Sequence, residues 1–346
     1  MAAIQQNNFP SPTTVTIFRS LQQFRRQTMR WIPYGLGLLL FGLLGAAHAA
    51  YPDKPLRLIV PFAAGSGLDK LARVTGDRLA RELGQPVVIE NISGAGGNVG
   101  VDYALRSPQD GYTLLLATTN TMVINPHLYK RQARTPLKSF AVVGPIQTAT
   151  NVLAVRPELP INSLSEFIAF AKANPGKLTY GSSGIGSSSH LGATLLSQMA
   201  DIELTHIPYR GSSAAANDFL GGRLDFMMDG AAQYPSLVSS GKVRVLGTTS
   251  KRRFEALPAW PPLARSGLPD FDITIWTALM VQQGVPASAL NVLRRAIAKV
   301  VADPEFRALV APDEPFVMSV TSFEAFLLSE NTKWEQLIRE SGASVD

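Results

Sequence analysis

The chain has 346 residues, of which 46% are hydrophobic and 17% are charged. This length and balance suit a globular protein with a sizeable core, and they exclude a disordered or low-complexity chain. The sequence contains no cysteine, which excludes disulfides, cysteine–metal sites, a cysteine nucleophile and a lipid-modified N-terminal cysteine.

The first 49 residues are typical of a cleaved signal peptide. Three arginines precede an apolar run at 32–44, and Ala-His-Ala at 47–49 matches the small residues of a signal-peptidase site. The apolar run is shorter than the roughly 20 residues that a membrane span needs. A retained signal anchor is the alternative interpretation, and the start residue, Met1 or Met29, stays open.

The charge of the chain excludes another class of function. The formal net charge is +6, but the predicted signal peptide holds four arginines and no acidic residue. The rest of the chain therefore has 28 basic and 26 acidic residues. A nearly neutral mature protein gives no electrostatic reason to expect a nucleic-acid partner. We expect a soluble, unlipidated protein of the periplasm that binds no nucleic acid.

Apolar strands alternate with amphipathic helices in the first part of the predicted mature chain. A buried strand at 56–62 is followed by a glycine-rich turn and a helix at about 68–83. A second strand at 87–90 leads into another glycine-rich turn at 94–100, and a third strand covers 113–117. Such alternation is typical of a parallel sheet with crossover helices.

The same alternation continues to the end of the chain. A capping box at 163–166 opens a helix that runs to about residue 174, and a similar pattern at 321–324 begins the last helix. Between them, the sequence predicts strands at 178–181, 204–207, 226–228, 243–247 and 273–281, and helices at 188–199 and 288–301.

These elements predict an α/β protein of two lobes with a ligand cleft between them. The sequence contains no low-complexity linker, so we expect the two lobes to be joined by strands that pass from one lobe to the other near 151–155 and 273–281. This assigns 50–150 plus 274–346 to lobe 1, and 151–273 to lobe 2.

Support for catalysis or for a metal site is weak. His127, His190 and His206 lack the spacing of metal ligands, and each is interpreted as a turn or helix-surface residue. The stretches 63–67 and 181–185 both miss the G-x-S-x-G pattern of a serine hydrolase. The glycine-rich turn before the third strand misses the dinucleotide pattern by one place. We expect no catalytic residue, no metal and no cofactor.

Two loops rich in glycine and serine, at 63–69 and 181–189, each lie between a predicted strand and the start of a helix. Backbone N–H groups lack partners there, the helix dipole is positive, and small side chains let an anion approach. Four to six charge-assisted hydrogen bonds, less the cost of immobilising a ligand, could reach about −8 kcal/mol. Both loops could instead be plain βα turns, but one loop in each lobe favours a shared cleft.

Seven short motifs occur in order along the chain. They are YPDKPLRLIVPF at 51–62, LGQPVV at 83–88, GAGGN at 94–98, DGYTLL at 110–115, INP at 124–126, ANPGKL at 173–178 and HIPYRG at 206–211. In these motifs the sequence resembles Bug-type (TctC-like) extracytoplasmic solute receptors of tripartite tricarboxylate transporters. The resemblance implies a two-lobed periplasmic-binding-protein type II fold that closes around its ligand.

The resemblance also implies which residues bind the ligand. In the family, the first loop holds a ligand carboxylate through backbone groups and waters, and a Ser/Thr stretch, a loop of the second lobe and an acidic position complete the site. In this sequence the matching positions are Phe62, Ala63, Gly65, Ser66, Gly67, Asp69, Thr118, Thr119, Asn120, Thr121, Ser182, Ser183, Gly184, Ser187, Ser188 and Asp229. Ser66 replaces the usual glycine, and Met-Asp-Gly at 228–230 replaces Phe-Asp-Asn, so the specificity could differ. Asp69 and Asp229 also have structural interpretations, as a helix-start acid and a turn residue.

We therefore expect a monomeric receptor that captures a small carboxylate-bearing ligand and passes it to membrane permease subunits of a tripartite tricarboxylate transporter. The ligand could be an organic acid, an aromatic acid or an acidic amino acid, because no arginine in the loops fixes its number of carboxylates. One alternative is a periplasmic hydrolase that pairs a loop serine with a histidine, for which His190 is nearest. The other is a ligand-sensing receptor for a signalling partner.

Overall fold

The structure, a computed structural model, describes residues 51–129 and 135–345. They belong to the unit Tyr51–Asp346, and the predicted signal peptide lies outside the described residues. The strands are β1 (Leu56–Val60), β2 (Val87–Asn91), β3 (Thr113–Thr118), β4 (Phe140–Val155), β5 (Thr179–Ser182), β6 (Thr205–Pro208), β7 (Phe226–Gly230), β8 (Arg244–Thr248), β9 (Thr274–Gln282) and β10 (Glu314–Pro315). The helices are α1 (Gly67–Leu83), α2 (Asn98–Leu105), α3 (Asn125–Leu128), α4 (Pro136–Ser139), α5 (Leu164–Ala173), α6 (Ser188–Ala200), α7 (Ser212–Leu220), α8 (Tyr234–Ser239), α9 (Ala287–Ala302), α10 (Pro304–Val310) and α11 (Val320–Ser341).

The strands join in the order β2-β1-β3-β9-β4-β7-β5-β6, with β8 and β10 also paired to β4. β1 runs parallel to β2 and β3, and β5 runs parallel to β6 and β7. The predicted α/β architecture with parallel strands is confirmed in both groups. The two central strands, β4 and β9, run antiparallel to each other and to their other neighbours.

Strand β4 belongs to both groups of strands. From Phe140 to Thr150 it pairs with β9, and from Asn151 to Val155 it pairs with β7 and β8. The sequence prediction covered only its last five residues, because Gly144 and Pro145 interrupt the apolar pattern. Both residues lie at shifts in the strand register, where a sheet tolerates proline.

Buried hydroxyl groups surround the point where the chain changes partners. Thr249 Oγ1 accepts a hydrogen bond from Asn151 N (3.1 Å) and donates to Ile273 O (2.9 Å). Ser250 Oγ lies 2.8 Å from Thr274 Oγ1. The hydroxyls thus satisfy backbone groups where the strand ladder is interrupted. The lobe limits stay a prediction. The change of strand partners along β4, between residues 150 and 151, agrees with the predicted limit.

The core explains why β1 and β3 read as apolar runs. All six residues of β3 are buried, since helices cover both faces of a parallel sheet. Leu58, Leu116 and Leu293 of α9 share one hydrophobic cluster. Burial of such side chains contributes roughly 1.5–3 kcal/mol each. Strand pairing and this packing fix where β1 ends and the first loop begins.

Across residues 51–129 and 135–345, no helix combines the length and the hydropathy that crossing a membrane requires.

Candidate functional site

The first loop connects β1 to α1 and is held by a charged side chain. Asp69 Oδ2 accepts hydrogen bonds from Gly65 N (2.8 Å) and Arg73 Nε (3.1 Å). The Gly65 N–H, followed by Arg73, holds the pKa of Asp69 below its usual range, so the carboxylate is ionised at neutral pH. The Ser66 hydroxyl caps α1 by accepting from Asp69 N (3.2 Å).

These contacts use some of the backbone donors that the sequence suggested for an anion. The N–H groups of Gly65 and Asp69 are bonded inside the loop. Gly67 and Leu68 are the first two residues of α1, where an N–H has no partner within the helix. They are the donors that the start of α1 offers. The second carboxylate oxygen of Asp69 is buried without a well-formed hydrogen bond among the described residues, although the Asn91 side chain also helps to lower the pKa of Asp69.

The Ser/Thr stretch after β3 lies against the first loop but is largely committed to the protein. A Cβ at Gly97 would lie 2.7 Å from Thr121 Cγ2 and 3.4 Å from Phe62 Cζ, so these three residues are neighbours. Thr118 and Thr121 are joined by two reciprocal hydrogen bonds, in which the hydroxyl of each residue accepts from the backbone N–H of the other. Thr119 Oγ1 accepts from the backbone N–H of the buried Trp276 (2.9 Å). Asn120 remains half-exposed.

The second loop connects β5 to α6 and is held by uncharged groups. Gly184 N donates to Ser182 Oγ (3.1 Å), and Ser183 N donates to Ser189 Oγ (3.1 Å). Ser187 caps α6 by accepting from the N–H of His190 (3.3 Å). The donors left at the start of α6 are the N–H groups of its first two residues, as in the first loop.

Two histidines support the second loop from one side. His190 Nδ1 accepts from Gly186 N (3.1 Å), and the His190 ring stacks on His206 with centroids 4.2 Å apart. His206 Nε2 lies 2.6 Å from Ser182 Oγ. Both rings are half-buried. His206 lies on an edge strand, so its interpretation as a turn or helix-surface residue is wrong.

Burial keeps both of these histidines neutral at physiological pH. Desolvation lowers the pKa of His190. Desolvation, followed by the charge that His190 would carry, lowers the pKa of His206 from 6.5 to about 4.

The Ser182–His206 pair is the contact that the hydrolase alternative required, with a different histidine. Ser182 is completely buried, and its hydroxyl also bonds to the backbone of Gly184. Within the described residues, no hydrogen bond joins a carboxylate to His206. A nucleophile needs access to its substrate and an oriented base, so this pair does not have the arrangement of a catalytic dyad.

The second loop also contacts the other group of strands and helices. A Cβ at Gly186, whose φ is +76°, would lie 2.1 Å from Leu128 Cδ2 of α3. Asn151 Nδ2 of β4 lies 3.4 Å from Ser188 Oγ. The loop therefore lies between α3 and the crossing strand. Sequence reasoning missed Asn151 as a site residue, although a buried asparagine in an apolar strand is a usable signal.

Asp229, at the end of β7, lacks a cationic partner among the described residues. Its carboxylate accepts from Ser212 Oγ (3.3 Å) and Gln233 Nε2 (3.2 Å). Burial raises its pKa. Asp229 pairs with Val152 of β4, and the next residue, Gly230, pairs with Asn151. Because successive side chains of a strand point to opposite faces, the side chains of Asp229 and Asn151 lie on opposite faces of the sheet. Turn formation and ligand contact are both compatible with this geometry.

Residues 51–129 and 135–345 contain no group of three histidine, aspartate or glutamate side chains placed to hold a metal ion.

Comparison with known families shows which family the chain belongs to. Residues 71–343 match the model of a family described as "Tripartite tricarboxylate transporter family receptor". The chain belongs to this family. The receptor therefore has the two-lobed fold of periplasmic solute-binding proteins, and the resemblance to Bug-type receptors is confirmed.

Individual relatives support the same conclusion. The receptor is 31% identical to BugT of Bordetella pertussis, over 90% of this chain and 97% of BugT. It is similar to the structure of Rpa4515 of R. palustris with adipate, with 29% identity, a TM-score of 0.74 and coverage of 85% and 99%. It is also similar to MatC of Rhodopseudomonas palustris with bound malate, with 26% identity, a TM-score of 0.69 and coverage of 83% and 100%.

Proposed function

We propose that this receptor captures a small carboxylate, with dicarboxylates as the first candidates, at the starts of α1 and α6. It acts in the periplasm as a monomer, releases its ligand unchanged, and delivers it to permease subunits of a tripartite transporter. The observation that carries this proposal is the pair of loops, each a glycine- and serine-rich connection to a long helix whose first N–H groups lack helical partners.

The ligands of similar proteins support the choice of a dicarboxylate. Adipate and malate, found with Rpa4515 and MatC, both carry two carboxylates. Two loops on different groups of strands suit a ligand with an anionic group at each end. Each helix start adds a favourable interaction of about 0.3–1 kcal/mol with a negative charge, besides its hydrogen bonds.

An acidic residue of the first loop suggests how the ligand is selected. Asp69 lies in the first turn of α1, and no arginine or lysine occurs in either loop. The unbonded oxygen of Asp69 requires a donor, since a buried acceptor without a partner is costly. A water or a ligand hydroxyl supplies such a donor, and a directly bound carboxylate does not. We therefore expect the ligand carboxylate to contact the backbone N–H groups and not Asp69.

Transport without catalysis agrees with the same contacts. The serine hydroxyls of the second loop are used as caps and loop supports. Ser182, which bonds to a histidine, is inaccessible. Binding by backbone donors is strong enough for capture, and such donors supply neither a nucleophile nor a general acid or base.

Isothermal calorimetry tests the proposed function on the exported receptor. The panel contains adipate, malate, a monocarboxylate, a tricarboxylate and an acidic amino acid. We expect a dicarboxylate to bind with a Kd of about 1 μM or lower. Absence of heat with every member, together with no carboxylate carried through purification, would overturn the proposal.

A proline substitution tests the backbone donor directly. Gly67 is the first residue of α1, where proline is tolerated, and Ser66 before it is extended as proline requires. Gly67→Pro removes one free N–H, so we expect the affinity to fall about tenfold or more. Gly67→Ala keeps the N–H, and no atom lies within 4 Å of the added Cβ, so it serves as the matched control with a much smaller loss. Equal losses in both variants would exclude this N–H as a ligand donor.

A further inference from the structure

We propose that neutral His190 is a positioning residue for ligand binding, and that its protonation releases the β5–α6 loop and weakens binding on acidification. This inference rests on the proposed function, because the loop is one of the two that hold the ligand. It adds a role for a histidine in the first turn of α6 that accepts a hydrogen bond from the loop backbone.

The first step of the argument is the direction of one hydrogen bond. Gly186 N–H can only donate, so His190 Nδ1, 3.1 Å away, must accept and must carry no proton. Protonated histidine has an N–H on both nitrogens. Protonation of His190 would therefore place two donors against each other and break the bond. No rotation of a backbone N–H within this loop repairs that contact while the loop keeps its shape.

The second step is the position of Gly186 in the loop. Its backbone has φ of +76°, and a Cβ there would lie 2.1 Å from Leu128 Cδ2. The residue is thus pressed against α3 at the contact between the two groups of strands. Ser187, the next residue, caps α6 and bonds to Gly184 O (2.7 Å). A shift of Gly186 would therefore move both the cap and the contact with α3.

The third step is the second ring. His206 stacks on His190 with an interplanar angle of 16°, and its other face stacks on Tyr180 at 4.8 Å. His206 bonds to Ser182, whose hydroxyl accepts from Gly184 N. The two histidines thus contact the loop at both of its ends. A charge on one ring disfavours a charge on the other, as the lowered pKa of His206 reflects.

Other titratable groups near His190 and His206 do not account for the expected pH dependence of the loop. Tyr180 stays neutral, because burial raises its pKa to about 12. His127, beside Leu128 on α3, bonds to Asn331 of α11. Lys333 and Glu340 of α11 line the groove beside Leu195 of α6. Within the described residues, desolvation is the cause resolved for His190, and none of these groups adds to it.

The first experiment measures dicarboxylate affinity from about pH 7.5 to about pH 5, the range in which histidines titrate. The variants are His190→Asn, which offers an acceptor oxygen close to Nδ1 and does not titrate, and His127→Asn as the matched control. We expect the wild type and the control to lose affinity on acidification by up to about tenfold per pH unit below the pKa of His190. His190→Asn is expected to lose much less, because protonation of His190 no longer contributes and only that of the ligand, Asp229 and His206 remains.

Two results of this experiment would overturn the proposal. One is an identical pH profile for His190→Asn and the wild type. The other is affinity that rises on acidification in the wild type alone, since His190 would then act as a cation for the anion and not as a positioning acceptor.

The second experiment needs no ligand and so separates this inference from the proposed function. In the ligand-free receptor labelled with ¹⁵N-glycine, the Gly186 amide is followed by NMR during a pH titration. We expect its chemical shift to change together with the His190 ring resonances. A Gly186 amide that stays constant while His190 titrates would overturn the inference, even if dicarboxylate binding is confirmed. If the amide titrates but no carboxylate binds, the proposed function fails and the coupling stands.

Discussion

The two candidate binding loops each connect a strand to the start of a helix, but different chemical groups hold them in place. The first is held by an ionised carboxylate that bonds to its own loop and to Arg73. The second is held by serine hydroxyls and by two neutral histidines. An aspartate of lowered pKa keeps its charge through the whole physiological range, whereas the two buried histidines are neutral in that range and gain protons only at a more acidic pH. We therefore expect the first loop to be insensitive to mild acid and the second loop to be sensitive to it.

The largest effect is expected from the contact that only the second loop makes with α3. Gly186→Ala adds a Cβ at a positive φ and within 2.1 Å of Leu128 Cδ2. Strain and overpacking together should lower the free energy of unfolding by about 3 kcal/mol, measured by urea denaturation. Gly241→Ala is the matched control, because its φ of +71° is similar and no atom lies within 4 Å. Its expected loss is about 1 kcal/mol. Equal losses would show that the α3 contact is unimportant.

The next prediction breaks the first loop and leaves the second intact. Asp69→Asn removes the charge that holds Gly65 and Arg73. The loop donors are then less well ordered, so dicarboxylate affinity should fall about tenfold by calorimetry. Asp77→Asn on the exposed face of α1 removes the same charge without a loop contact and should leave the affinity unchanged. A normal affinity for Asp69→Asn would show that the first loop needs no carboxylate.

The pH dependence of stability sharpens the comparison further. The pKa of His206 is about 4 in the folded protein and near 6.5 in the unfolded chain. The unfolded state therefore binds more protons, so the free energy of unfolding should fall as the pH decreases from about 6.5 to about 4. His206→Gln should reduce this slope, as measured by urea denaturation at a series of pH values. Loss of the Ser182 contact lowers its stability at every pH, so the slope is the informative quantity.

The smallest effects are expected from the two helix caps, which are equivalent in geometry. Ser66→Ala and Ser187→Ala each remove a hydroxyl that accepts an N–H of the first turn. Each should lower the free energy of unfolding by about 1 kcal/mol. Ser187→Ala should cost somewhat more, because its hydroxyl also donates to Gly184 O. A smaller loss for Ser187→Ala would mean that the histidines, and not the cap, fix the second loop.

Sequence periodicity predicted local structure well where one buried face of a helix left a clear pattern. The predicted helices at 68–83, 188–199 and 288–301 differ from α1, α6 and α9 by one residue at most at either end. Strand β4 was largely missed, because a glycine and a proline at register shifts hide its pattern. A strand that changes partners is defined by pairing over long sequence distances, and no local window contains that information.

The candidate site was also predicted only in part from the sequence. Sequence reasoning located both loops from small residues between a strand and a helix start, and the structure describes both there. It counted their backbone donors as free, whereas the contacts of Asp69, Ser189 and His190 already occupy several. The stack of His190 on His206 joins residues of a helix and a strand. Such a contact has no signature in residue spacing.

The sequence by itself determined the class of this protein: the α/β alternation, the absence of thiol chemistry, the two anion-suited loops and the membership of the receptor family. Composition, periodicity and local motifs carry these properties, since each depends on residues close together in the chain. Tertiary structure alone decided which donors stay available, which histidines stay neutral, and where Gly186 meets α3. These properties depend on burial and on distances between remote residues, so only the folded chain defines them.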